Sequence, residues 1–275
     1  METVREWRVK IMDWKHAKTL FIIVFILIDI GLVLVYFNKV NNSIVQESND
    51  QSDVNFTKEG IDLPNLPSYK NKEMQAITAD SKSFTSNDLE GVYTLSEKDT
   101  KISKDLDDEN LTKDSKEQTF KSLINKEAYK GKEYHQKENN KDKNKVIYEQ
   151  SYDDFPILNN SKGEIVFNIE NGKVKNFTQT YLDKLKPGTG DNNSKQKVVD
   201  ARTALETLYY NTYLTKGDTV ESVRLGYYSV VKEIGGQVLV PSWEVKVKSK
   251  EDGKEKTTLL YVDAIKPEST VLEES

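Results

Sequence analysis

Three spacings of apolar and polar residues run along this chain, and each predicts a different kind of element. The first is an unbroken apolar run, Thr19 to Phe37 (TLFIIVFILIDIGLVLVYF), whose one charge is Asp29. About 20 such residues at 1.5 Å each cross the roughly 30 Å hydrocarbon layer of a bilayer, so the run predicts a single transmembrane helix. The second spacing has the 3.6-residue period of an amphipathic helix. It appears over Thr119–Tyr129, with Phe120, Leu123, Ile124 and Ala128 on one side, and over Val198–Leu214, with Val198, Ala201, Leu205, Leu208 and Tyr209 on one face. For the second helix Ser194 lies in the N-cap region, Arg202 and Glu206 stand four apart, and Gly217 suits a C-cap.

The third spacing is the two-residue alternation of strands. Runs around Ala76–Phe84 and Gly91–Ser96 are followed by Lys132–Lys137 and Lys145–Tyr152, then by Glu164–Glu170 and Lys173–Leu182. The last two are joined by Asn171-Gly172, a hairpin signal because both turn positions need positive φ. Val220–Lys232, Gln237–Lys248 and Lys256–Ile265 complete the set. Trp243, Val245 and Val247 alternate with Glu244, Lys246 and Lys248, which predicts one buried face and one wet face.

A helix followed by consecutive antiparallel strands, occurring twice, predicts an α+β fold. The expected organisation is a tail over 1–18, a transmembrane helix over 19–37 and a stalk over 38–68. Two helix-plus-antiparallel-sheet units follow, over 69–186 and 187–275. The stalk is rich in Asn, Ser and Asp and ends in Leu63-Pro64-Asn65-Leu66-Pro67. A cleaved signal peptide would have a shorter apolar core and a small-x-small site, and Asn38-Lys39-Val40-Asn41-Asn42 offers none.

Charge sets the orientation. Arg5, Arg8, Lys10, Lys15 and Lys18 precede the apolar run, whereas Lys39 alone follows closely. The positive-inside bias places the N-terminus in the cytoplasm and the C-terminal bulk outside. The whole chain carries 40 Lys and Arg against 45 Asp and Glu, which gives no global attraction for nucleic acid. Without cysteine it has no disulfide, thiol nucleophile or Cys-ligated metal, and two histidines leave little room for His-based catalysis or zinc.

Asp29 stands near the middle of the apolar run, where a carboxylate costs about 2.5–3.5 kcal/mol on insertion scales. Ile22, Phe25, Leu32 and Tyr36 share its helical stripe, and Gly31 beside it allows close approach. One reading is an acid tolerated by a very apolar helix, neutral in lipid or shielded by headgroup water. The other, since a single span has no intramolecular partner for it, is that this stripe docks against a helix of another chain.

Other chemistries fail on their own spacing. Pro187–Lys195 (PGTGDNNSK) lacks the Gly-Lys-Ser/Thr ending of a phosphate loop. Asp105, Asp107 and Glu109 have calcium-loop spacing, but Asn110 holds the glycine position and Lys116 the position of the closing Glu. Asp153-Asp154 before Phe155-Pro156 reads as a turn. Tyr209, Tyr210, Tyr213, Tyr227, Tyr228 and Trp243 read mainly as core, and His135 as an exposed bystander. No catalytic residue, cofactor or metal is predicted.

Several separated motifs then coincide. Met12–Ile23 (MDWKHAKTLFII), Asp29, Tyr152-Asp153-Asp154-Phe155-Pro156, Leu225-Gly226-Tyr227-Tyr228 and Val240-Pro241-Ser242-Trp243-Glu244-Val245 closely resemble the YycI (WalI) family. Members begin at a Met-Asp/Asn-Trp-Lys start that matches Met12, so residues 1–11 would reflect an upstream start codon. The resemblance implies a non-enzymatic regulator of the YycG/WalK sensor histidine kinase, which controls cell-wall metabolism in Gram-positive bacteria. It also implies action together with YycH, and contact with the kinase partly through transmembrane helices. The alternative from another class is a membrane-tethered extracytoplasmic binding protein for a peptide or wall fragment.

Overall fold

The computed structural model describes residues 18–19, 21–32, 54–106, 111–137, 142, 144–188, 194–231, 236–251, 253–269 and 271–274. The chain divides into two compact units, Met1–Gln51 and Ser52–Ser275. Within the first, residues 21–32 form helix α1. Among the described residues no helix is long and apolar enough to cross a membrane; Leu20 and residues 33–37 of the expected span lie outside them.

The second unit is mostly β-sheet with few helices, in keeping with the α+β expectation. In chain order it contains β1 (Glu73–Met74), β2 (Ile77–Ser81), β3 (Thr94–Ser96), β4 (Lys101–Asp105), α2 (Glu117–Glu127), β5 (Tyr134–Gln136) and β6 (Lys145–Tyr152). There follow β7 (Phe155–Leu158), β8 (Glu164–Glu170), β9 (Lys173–Thr180), β10 (Leu182–Pro187), β11 (Gln196–Lys197) and α3 (Ala201–Tyr210). The long strands β12 (Thr219–Val231), β13 (Gln237–Glu251) and β14 (Lys254–Asp263) precede a short β15 (Val271–Glu274). Among the described residues thirteen strands join in the order β10-β2-β13-β12-β7-β6-β8-β9-β4-β3, with β14 and then β15 continuing from β13, and β5 beside β6.

Local chemistry explains the elements. Asn171 and Gly172 take φ of 52° and 79°, as the two-residue turn of the β8–β9 hairpin demands. Asp153 and Asp154, at φ 51° and 67°, make the tight turn from β6 to β7. Helix α3 is capped by Asp200, whose carboxylate accepts from the Thr203 amide at 2.7 Å; the cap is thus not in the Ser194 region. Ala201, Ala204, Leu205 and Leu208 form its buried stripe, and Arg202 and Glu206 do pair, at 3.5 Å. The helix ends at Asn211, well before Gly217, because Thr212 turns the chain with φ 64°.

Two cores result. In one, α2 lays Phe120 and Ile124 on Tyr148, Ile165, Phe167 and Phe177, with Phe120 edge-on to Phe167 at 5.0 Å. In the other, α3 packs on Leu225, Trp243, Val245, Leu260 and Val262, and the Trp243 indole donates to Val199 O at 3.0 Å. This second core also recruits Val54, Phe56, Ile61, Met74, Ile77, Phe155, Ile157 and Leu182. Residues 54–66 are therefore packed rather than stalk-like, since Val54, Phe56 and Ile61 are all buried, with Leu63 and Leu66 against the same core. Their apolar residues lack any helical or strand period, and the surface that buries them comes from α3.

One pairing departs from the antiparallel plan. Strand β7 runs parallel to β12, with Ile157 opposite Tyr227 and Leu158 opposite Tyr228. The seam is close. A Cβ on Gly226 would sit 2.4 Å from Pro156 O, so only glycine fits there.

Candidate functional site

Helix α1 carries Ile22, Phe25, Asp29 and Leu32 of the expected stripe, while Tyr36 lies outside the described residues. At 100° per residue these four fall within a single face. Phe21, Ile22, Phe25, Leu27 and Leu32 are each 60% exposed or more, and Asp29 is exposed as well. A helix apolar all round needs lipid or protein cover.

The second unit holds a feature that the alternation of β13 did not predict. Glu244 and Lys246, expected on a wet face, are 4% and 8% exposed. Arg224 on β12 lies between two carboxylates. Its Nε and Nη2 donate to Glu244 Oε1 at 2.9 and 2.6 Å, and its Nη1 donates to Glu149 Oε2 on β6 at 2.9 Å. Burial opposes the guanidinium charge, but Glu149 and Glu244 outweigh it and hold the Arg224 pKa above its ordinary value. The Tyr261 hydroxyl donates to Glu244 Oε2 at 3.1 Å, and burial followed by the Glu244 charge pushes that phenol up. Lys246 pairs with Glu221 at 3.2 Å. The positions are strand-like and polar, yet each charge is answered, which is what permits their burial.

This network continues toward β15. Lys137 Nζ lies 3.5 Å from Glu149 and donates to Asn159 Oδ1 at 3.3 Å. Asn159 Nδ2 donates to the Glu274 carboxylate, which also accepts from the Tyr228 hydroxyl at 2.8 Å. Tyr228 stacks on Tyr261 with ring centroids 3.9 Å apart, and Leu158, Leu259 and Leu272 close the apolar side.

A third surface lies at α3. Tyr210 and Tyr213 are exposed, whereas Tyr227, Tyr228 and Trp243 are buried, so the aromatic set divides between surface and core. Tyr209 stands edge-on to Phe56 at 6.1 Å and donates to Glu59 at 2.9 Å. Nearby, Val54–Thr57, Ile61–Leu63 and Arg202 line an open cavity of about 460 Å³. Arg202 Nη2 donates to Val54 O at 2.8 Å and its guanidinium lies 5.5 Å from the Phe56 ring centre.

The remaining motifs gather no site. His135 is exposed on β5. Asp105 closes β4, while Asp107 and Glu109 lie outside the described residues, as do residues 189–193 of the glycine loop. Among the described residues no group of three or more His, Asp or Glu side chains is arranged to hold a metal ion.

Among known families, one matches the chain over most of its length. The family model described as YycI protein matches residues 39–265. This chain belongs to the YycI family. YycI is a regulatory family, not a known enzyme family, and membership connects the chain with regulation of the YycFG two-component system. The match takes in both cores and the Arg224 network but not α1 or β15. No curated protein matches the chain. Among solved structures, an uncharacterized protein from Eubacterium rectale aligns over 78% of this chain and 91% of its own length, with a TM-score of 0.45 at 8% identity.

Proposed function

We propose that this YycI chain is a membrane-anchored accessory regulator of the YycG/WalK sensor histidine kinase. It acts with YycH through transmembrane and extracytoplasmic contacts to tune cell-wall signalling. The observation that carries the reading is Asp29, a carboxylate on an exposed helix that is otherwise apolar on every side. In lipid such an acid is stabilised by a hydrogen-bonding neighbour, and a lone span must take that neighbour from another chain. The basic N-terminal tail supports a cytoplasmic N-terminus, with the second unit outside the membrane.

The mechanism is a biased equilibrium. The stripe of Ile22, Phe25, Asp29, Leu32 and Tyr36 docks on the kinase span, while the outer unit engages YycH and the kinase's outer loop. Contacts of this kind shift a two-state kinase only by favouring one state, and a differential of about 1–3 kcal/mol is typical of such coupling. The decisive experiment is detergent co-purification of the full chain with the kinase and YycH, comparing wild type with Asp29→Leu. The variant should insert normally and recover less kinase; equal recovery removes Asp29 from the mechanism. The cavity beside Arg202 favours a second reading, a tethered receptor for a peptide or wall fragment. Binding of such a ligand that Arg202→Ala abolishes, without any kinase recovered, would establish it.

A further inference from the structure

Strand β15 is short and lies at the sheet edge, with Val271 packed against the α3 core and Leu272 and Glu274 on its other face. It pairs antiparallel with β14 from Leu259↔Glu274 to Val262↔Val271. Alternation puts Leu272 and Glu274 on the same face. Leu272 enters the apolar cluster of Leu158, Tyr228 and Tyr261, and Glu274 is received by Asn159 Nδ2 and the Tyr228 hydroxyl. Glu273, between them, is exposed.

The receptor for these two side chains is built without β15. Asn159 sits at φ 46° just after β7, its amide N–H donating to Glu149 Oε1 at 3.3 Å and its Oδ1 accepting from Lys137. That second bond leaves the Nδ2 end of the amide directed at Glu274. Tyr228 is fixed by its stack on Tyr261, which in turn is tied to Glu244. Every receptor residue lies within the segment matched by the family model, residues 39–265, and β15 lies beyond it. We propose that the β14 edge with its Asn159–Tyr228 socket is a strand-acceptor site for a partner protein. The segment it takes is extended, with an apolar residue and a carboxylate two positions later, and β15 is the chain's own occupant of the same site. The socket presents two donors with the Lys137 ammonium behind them, so an acidic side chain is what it complements. Main-chain pairing to β14 supplies affinity and the two pockets supply selectivity, the logic of strand addition.

A tethered occupant competes at an effective concentration in the millimolar range, so the intact chain should resist a free competitor. The test uses the full chain in detergent, a variant lacking residues 271–275, and a fluorescein-labelled peptide of residues 268–275 (ESTVLEES). The truncated chain is expected to bind the peptide at least about tenfold more tightly than the intact chain. Replacing the peptide's counterpart of Glu274 by Gln should weaken binding about tenfold. A truncated chain that is folded by circular dichroism and binds no peptide overturns the proposal, as does equal binding by the Gln peptide. A full-length Leu272→Ala, Glu274→Ala double variant repeats the test with the chain length kept, and should also bind more tightly than wild type. If light scattering finds a dimer of the intact chain that disappears on truncation, the occupant is a second copy and the proposal fails. The assay contains no kinase, so its outcome and that of the Asp29 experiment are independent.

Discussion

The β8–β9 hairpin and the β12–β13 hairpin follow the same alternation of apolar and polar residues but meet different surroundings. In β8–β9, Ile165, Phe167 and Phe177 face α2, while Asn168 and Asn176 on the reverse remain partly open to water, their side chains bonded to each other at 2.7 Å. In β12–β13, Leu225, Trp243 and Val245 face α3, but the reverse is covered too, and Arg224 and Glu244 are enclosed there with Glu149. Polar residues on a strand therefore mark either a solvated face or an internal ion cluster. On the second hairpin the enclosure comes from Glu149 of β6, which meets Arg224 at 2.9 Å on the reverse face.

The sharpest way to break this contrast is Arg224→Ala. It strands two buried carboxylates and should cost about 3–5 kcal/mol in denaturant unfolding. The matched change Asn176→Ala should cost about 1 kcal/mol, and equal losses would remove the energetic contrast between the two reverse faces. Next in size is Gly226→Ala, which forces a methyl into Pro156 O and should cost about 1–3 kcal/mol, read as a lowered unfolding midpoint. The helices sharpen the comparison at a smaller scale. Asp200→Ala removes the α3 cap, for a loss of about 1 kcal/mol, whereas Lys116→Ala should be close to neutral because Lys116 makes no side-chain cap on α2.

The smallest effect concerns pH. Burial pushes the Glu164 carboxyl above its ordinary 4.5, assisted by the charge of Glu149. A raised folded-state pKa on an acid means that the folded form disfavours the ionised group. The contribution of Glu164 to stability therefore falls as pH rises from 4.5 through its folded value. Glu164→Gln should be the more stable protein at pH 7 and should lose that advantage below about pH 4 in thermal melts.

Where neighbours in sequence decide the structure, the residues announce it. Lys145–Tyr152 and Glu164–Glu170 are strands over those same bounds, and Asn171-Gly172 turns between β8 and β9 as its chemistry requires. Where distant residues decide, local pattern misleads. Val54, Phe56 and Ile61 have no periodicity, because the groove that buries them belongs to α3, with Arg202 reaching across to Val54 O. Glu244 and Lys246 look solvated because their counter-charges come from β12 and β6. Helical spacing alone puts Ile22, Phe25, Asp29 and Leu32 on one face, and α1 is helical over those four residues. The Asn159–Tyr228 socket was not legible from spacing, since Asn159, Tyr228 and Glu274 meet only in the folded sheet.

The parallel seam between β7 and β12 carries a consequence for the order in which the protein is made. Hairpins such as β8–β9 close over a few residues and form quickly, whereas the seam must bring Ile157 to Tyr227 across a long intervening loop. Synthesis runs from the N-terminus, so β6 to β9 are complete while β7 still presents an unpaired edge and Leu158 lacks its tyrosine neighbours. Until β12 emerges, that edge is open to other strands, and a chaperone that shields strand edges would act in this interval.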